Sequence, residues 1–175
     1  EALTRGEQPA LHLAAGRLSA ATGDGQAAQR HLDAAVASAA EDLPTLGAAW
    51  MALARLHAEG GRHSAGAAAA AEAARACEQV GDTLGAAQAF AVRATCIGGA
   101  GQGDRALKEL KLAMQRTPES DDPRPEALDV RIAMGLIFRD TGNRDKARQA
   151  LGLAAKRAAA HGLLEEGPHV VYAVF

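Results

Sequence analysis

Aromatic side chains are nearly missing from this sequence, with one Trp, one Tyr and three Phe among 175 residues. So few flat rings leave no stacking platform of the kind on which single-stranded nucleic-acid binding rests. Cysteine is scarcer still. Cys77 and Cys96 form no disulfide framework and cannot complete a zinc site between them. Both stand in alanine-rich runs, where a free thiol behaves as a small apolar group. An excess of one charge is also lacking, since 19 Lys and Arg face 21 Asp and Glu. The basic run Arg105, Lys108, Lys111 and Arg116 is interleaved with Glu109 and reads as a solvated helix face, so no nucleic-acid partner is expected. No stretch of about 18 apolar residues occurs, which excludes a spanning helix and membrane insertion. The first residue is Glu1 rather than Met, so a processing boundary is expected there and the missing leader says little.

Alanine and glycine are what the chain has instead: 45 Ala and 19 Gly in a sequence that is 48 % hydrophobic. That is too apolar for disorder, and it points to a helical, soluble, cytoplasmic domain. The small residues are periodic. Gly23, Gly61, Gly101 and Gly142 each end an apolar run, at steps of 38, 40 and 41 residues. Seven places before them stand Gly16, Ala54, Ala94 and Gly135. Five places after come Ala28, Gly66, Ala106 and Ala147, and twelve after come Ala35, Ala73, Ala113 and Ala154. A chain of this composition fills all twelve places by accident with a chance of about 10⁻⁵, so the pattern is a repeat.

The physical sense of the repeat is close helix packing. Antiparallel helices need small side chains where their backbones approach, and larger ones beside them. Nine places after the glycines the residues are apolar: Leu32, Ala70, Leu110 and Leu151. Each glycine supplies the left-handed turn that stops a first helix. Asp24, Asp104 and Asn143 or Asp145 can then cap the second, and Gly81-Asp82 and His161-Gly162 read as stops between units. Helices are predicted over 7–22, 25–40, 45–59, 63–80, 83–99, 104–117, 124–141 and 144–161. The links Glu41 to Pro44 and Thr117 to Pro125 carry the prolines.

A small residue, a turn glycine and two small residues on the next helix resemble the tetratricopeptide repeat (TPR) family. Gly135, Gly142, Ala147, Leu151 and Ala154 make one clear copy, and Ala94, Gly101, Ala106, Leu110, Ala113 and Pro118 another. Trp50 and Phe90 stand where that family places a large packing residue, while His12 and Arg131 depart from it. Units of 38 to 41 residues are similar to the long-helix, MalT-like variety. The resemblance implies an all-α fold, a right-handed α-α superhelix of about four antiparallel helix pairs. The units would span about 7–40, 45–80, 83–117 and 124–161 of a single repeat domain covering 1–175, with 163–175 as a partial fifth unit capping the last pair. It also implies a piece of a larger bacterial regulator, scaffold or assembly protein.

No catalytic constellation is present. His57 and His63 flank a turn without the spacing that puts two ligands on one helix face. Gly98 to Gly103 lacks the preceding strand and the Gly-Lys-Ser/Thr of a phosphate loop, and Ser19 and Ser38 lack a base. No enzyme, metal or cofactor is therefore expected. What remains is the concave surface that the first helices of the pairs line. The family pattern puts groove-facing residues ten and six places before each turn glycine: Leu13 and Arg17, Met51 and Arg55, Ala91 and Thr95, Ile132 and Leu136. Arg139 and Asp129 extend the last face. Apolar residues alternating with arginines suit an amphipathic or acidic-apolar segment of a protein partner, with Arg17 and Arg55 able to hold two carboxylates. The plainer reading is that Leu13, Met51 and Leu136 complete the core and the arginines are solvated. An effector-sensing regulatory domain taking a small molecule or signalling peptide is the alternative function. The sequence does not fix the oligomeric state.

Overall fold

The computed structural model describes residues 7–116 and 125–160 of the chain. It is all-α over those residues. In chain order the helices are α1 (Glu7–Ala21), α2 (Gly25–Ser38), α3 (Leu43–Glu59), α4 (His63–Gln79), α5 (Thr83–Gly99), α6 (Gly103–Arg116), α7 (Pro125–Asp140) and α8 (Arg144–Ala160). Every end falls within two residues of the one predicted from the glycine and aspartate punctuation. The proposed cap over 163–175 and the His161-Gly162 stop lie outside the described residues.

The turns form for the expected reasons. Gly23, Gly61, Gly101 and Gly142, with Gly81, carry φ between 69° and 82°, a region that costs an L side chain energy and glycine none. Asp24 Oδ1 accepts from the Ala27 amide at 2.9 Å, and Asp82 Oδ1 from the Gly85 amide at 2.8 Å. These satisfy amides that a helix start leaves without partners. Asp42 does the same for Thr45 at the start of α3. Asp104 differs from expectation. The helix begins one residue earlier, so Asp104 stands inside the first turn of α6, where its charge complements the helix dipole instead of capping.

Consecutive helices pack as pairs, and the pairs stack into an α-α superhelix. Inner helices also meet one another: α1 with α3, α3 with α5, and most extensively α5 with α7. The core is built from alanine and leucine. Leu32 touches Gly16, Leu110 sits with Ala94 and Ile97, and Phe90 lies under the Arg116 guanidinium at 4.5 Å. Arg116 also pairs with Glu78 at 2.8 Å, so one side chain joins α4, α5 and α6. Of the basic run on α6, Lys108 and Lys111 stay exposed, whereas Arg116 is taken up in this packing.

One junction breaks the pattern. Helix α7 has few contacts with α6, its predecessor in the chain, and rests on α5 instead. Small residues permit it, because Ala87, Ala91 and Ala133 are all buried in one cluster with Val130. No helix among the described residues is long and apolar enough to cross a membrane.

Candidate functional site

Three clefts adjoin along the surface lined by α1, α3, α5 and α7. The first, about 620 Å³, is walled by Arg17, Leu43, Met51, Val80, Leu84 and Gln88, among others. A middle cleft of about 410 Å³ shares Arg17, Met51 and Gln88 with it and adds Arg55, Leu56, Glu59 and Asp129. The third, about 190 Å³, lies between α5 and α7, with Ala91, Val92, Thr95, Ile132 and Leu136 behind Arg55, Gln88 and Asp129. Arg17, Met51, Arg55, Thr95, Ile132 and Leu136, all named from the sequence, line one or another of these clefts.

Two residues from the same expectation are placed elsewhere. Leu13 lines none of the three clefts and packs in the core with Leu32 and Leu53, whereas Met51, equally buried at 9 % exposed, still lines two of them. Arg139 lines none of the three clefts and pairs with the adjacent Asp140 at 2.9 Å. Leu13 shares its core cluster with Leu32, which lies against Gly16.

Arg55 has a partner of its own. Its Nη2 donates to Asp129 Oδ2 at 2.8 Å, across 74 residues of sequence. Gln88 Nε2 donates to the same oxygen at 2.7 Å. One carboxylate oxygen therefore ties α3, α5 and α7 together in the middle of the groove. The side chains of Arg55 and Asp129 are 47 % and 40 % exposed, and water screening holds such a pair to about 0–1 kcal/mol. A double-mutant cycle with Arg55→Ala and Asp129→Ala, read by denaturant unfolding, should return a coupling below about 1 kcal/mol. Coupling above about 2 kcal/mol would contradict a solvated tie. Arg17, by contrast, has no hydrogen bond or ion pair among the described residues.

Gln88 was missed in the sequence, and the bridging role of Asp129 with it. A signal was available. Both stand thirteen places before their turn glycines, one helical turn ahead of the ten-place position and on the same face. Ala48, the equivalent in the second pair, also lines the first cleft.

Cys77 lines the first cleft as a neutral group. Burial first, then the carboxylates of Asp82 and Glu78, push its thiol up to about 11. Burial likewise raises Cys96. Thiolate chemistry at neutral pH is thereby suppressed at both. No cluster of three or more His, Cys, Asp or Glu suited to a metal ion occurs among the described residues. The arrangement offers a long surface with apolar floors, a tied ion pair and, in Arg17, a cation with no hydrogen bond or ion pair among the described residues.

Comparison with known proteins bears on the fold. No protein-family model matches the sequence, and no curated protein matches it. Among solved structures, the chain is similar to BtubC (BKLC) from P. vanneervenii, with a TM-score of 0.65 at 16 % identity, over 99 % of this chain and 82 % of that one. This is a helical-repeat fold. A second solved structure, the MamA protein, aligns over 93 % of this chain and 98 % of that one at 14 % identity, with a TM-score of 0.34 that supports no argument. At these identities the likeness concerns architecture alone.

Proposed function

We propose that this chain is a non-catalytic interaction module of the TPR kind, taking a peptide or helix of a partner protein in the groove lined by α1, α3, α5 and α7. The observation that carries the reading is the run of three adjoining clefts along the inner helices. Stacked helix pairs build such extended concave surfaces, and Arg17 in the first and middle clefts with half-buried Ile132 and Leu136 in the third offer charged and apolar contacts along them. As in other repeat modules, its place would be within a larger regulatory, scaffold or assembly protein of a bacterium.

The test compares the chain with its Arg17→Glu/Leu136→Ala variant, after circular dichroism has matched their helicity. Affinity capture from source-cell lysate, followed by titration of the retained protein, is expected to show binding at least tenfold weaker for the variant. Equal binding would move the site off the groove and end this reading.

An effector-sensing domain has one observation in its favour. The first cleft, at about 620 Å³, falls within the range of roughly 300–1,000 Å³ common to small-molecule sites. Such a sensor would gain thermal stability with a small-molecule library by RT ln(1 + [L]/Kd), whereas an interaction module would not.

A further inference from the structure

The middle cleft and the α5–α7 cleft have three lining residues in common: Arg55, Gln88 and Asp129. The wall between the two is therefore the tie itself. It is made of donors from α3 and α5 and a carboxylate from α7. Both donors converge on Asp129 Oδ2, at 2.8 and 2.7 Å. That is how a charged and a neutral donor hold one acidic group.

Among the described residues, helices α3 and α7 are not extensively packed on one another, and the Arg55–Asp129 pair is a direct link from the second pair to the fourth. Because α7 has few contacts with α6 and rests mainly on α5, the fourth pair is held largely by one helix face, with a smaller contact to α6 and this exposed tie. A partner's acid that replaced Asp129 would meet the same donors. It would give up little, since the internal pair is solvated.

We propose that Asp129 is an internal ligand of the groove. In the free chain it occupies the Arg55–Gln88 donors. On binding, an acidic side chain of the partner, set between aliphatic residues, takes its place. This rests on the reading of the groove as an interaction surface and specifies the chemistry of its partner. The aliphatic neighbours follow from the floors on either side of the tie, Met51 and Leu56 in one cleft and Ile132 and Leu136 in the other. Charge supports the assignment. Once Asp129 is displaced, Arg55 joins Arg17 as a second cation on the middle cleft, against Glu59 alone. The exchange also frees the α7–α8 pair from the second pair and merges the two clefts.

The experiment selects a displayed library of random twelve-residue peptides on the full chain and on its Asp129→Ala variant, then titrates the winners. Enrichment of sequences with Asp or Glu between aliphatic residues is expected. The variant should bind them up to about fivefold more tightly than the original chain, as a solvated tie allows, and adding Arg55→Ala should abolish that gain. Asp129→Asn, which keeps the size and the Gln88 contact, should give a smaller gain and serves as the control for folding. Peptides that bind both chains equally, but lose affinity with Leu136→Ala, would overturn the internal ligand and leave the groove reading standing. Enriched peptides rich in Lys and Arg would do the same. Failure to select any peptide on either chain would overturn both.

Discussion

Leu32→Ala is expected to destabilise the fold by about 2–5 kcal/mol, and adding Gly16→Ala should return part of that loss. Leu32 is 1 % exposed, so its truncation removes buried methyl groups and leaves a cavity beside α1. The reverse problem meets Gly16→Ala alone. A Cβ there would lie 2.6 Å from Leu32 Cγ and Cδ2 and 3.3 Å from the Leu32 amide. Overpacking of this kind costs about 1–3 kcal/mol. Together the two changes reproduce the second pair, where Ala54 and Ala70 occupy the equivalent places and both are fully buried. The double variant should therefore be more stable than the sum of the singles by about 0.5–3 kcal/mol. Urea unfolding of all four proteins measures the difference. Strict additivity would show that Gly16 and Leu32 do not share one space.

The same single change should have opposite signs at two other glycines. At Gly66, on α4, a Cβ would sit 2.7 Å from Cys96 Sγ, 3.1 Å from the Ala54 carbonyl oxygen and 3.4 Å from the Ala58 amide. Two of those atoms are backbone, and Cys96 is buried. Neither neighbour can give way cheaply, so Gly66→Ala should cost about 1–3 kcal/mol even after the helix propensity gained. Gly152, within α8, has nothing within 4 Å of its added Cβ. Gly152→Ala should accordingly stabilise by up to about 1 kcal/mol through the entropy of the unfolded chain. For a chain of this size, 1 kcal/mol moves the melting temperature by about 2–4 °C. A calorimetric scan giving both variants shifts of one sign would refute the packing described for α3, α4 and α5.

These glycines also explain why so much of the architecture could be read from the sequence. Gly16, Gly66 and Gly135 stand where helices approach too closely for a side chain, and Gly23, Gly61, Gly101 and Gly142 where the backbone reverses. A repeat states each rule four times, so the helix ends emerged together. The site was less legible because its decisive contact is not periodic. Arg55 and Asp129 belong to different pairs, and nothing in their spacing announces that α7 folds back onto α5. The junction responsible follows the proline-rich link from Thr117 to Pro125, which reads only as a break. Leu13 illustrates a second limit. The position ten places before the turn glycine lines a cleft in the later pairs, even where it is buried as Met51 and Ala91 are, but Leu13 in the first pair lines none of the three and packs in the core. Asp104 shows the third, since a shift of one residue in a helix start turns a cap into a first-turn charge.

The contact between Arg55 and Asp129 has a bearing on the order in which the chain folds. Nearly every other interaction joins helices that are neighbours in sequence or one pair apart, and contacts so local let assembly start anywhere and spread quickly. The 74-residue tie cannot form until α3, α5 and α7 have already stacked. It closes only after those three helices are in place, and being solvated it should open early. A fluorescent pair placed across it would therefore report the stacking of the second, third and fourth pairs, and its loss is expected to precede the loss of helicity on unfolding.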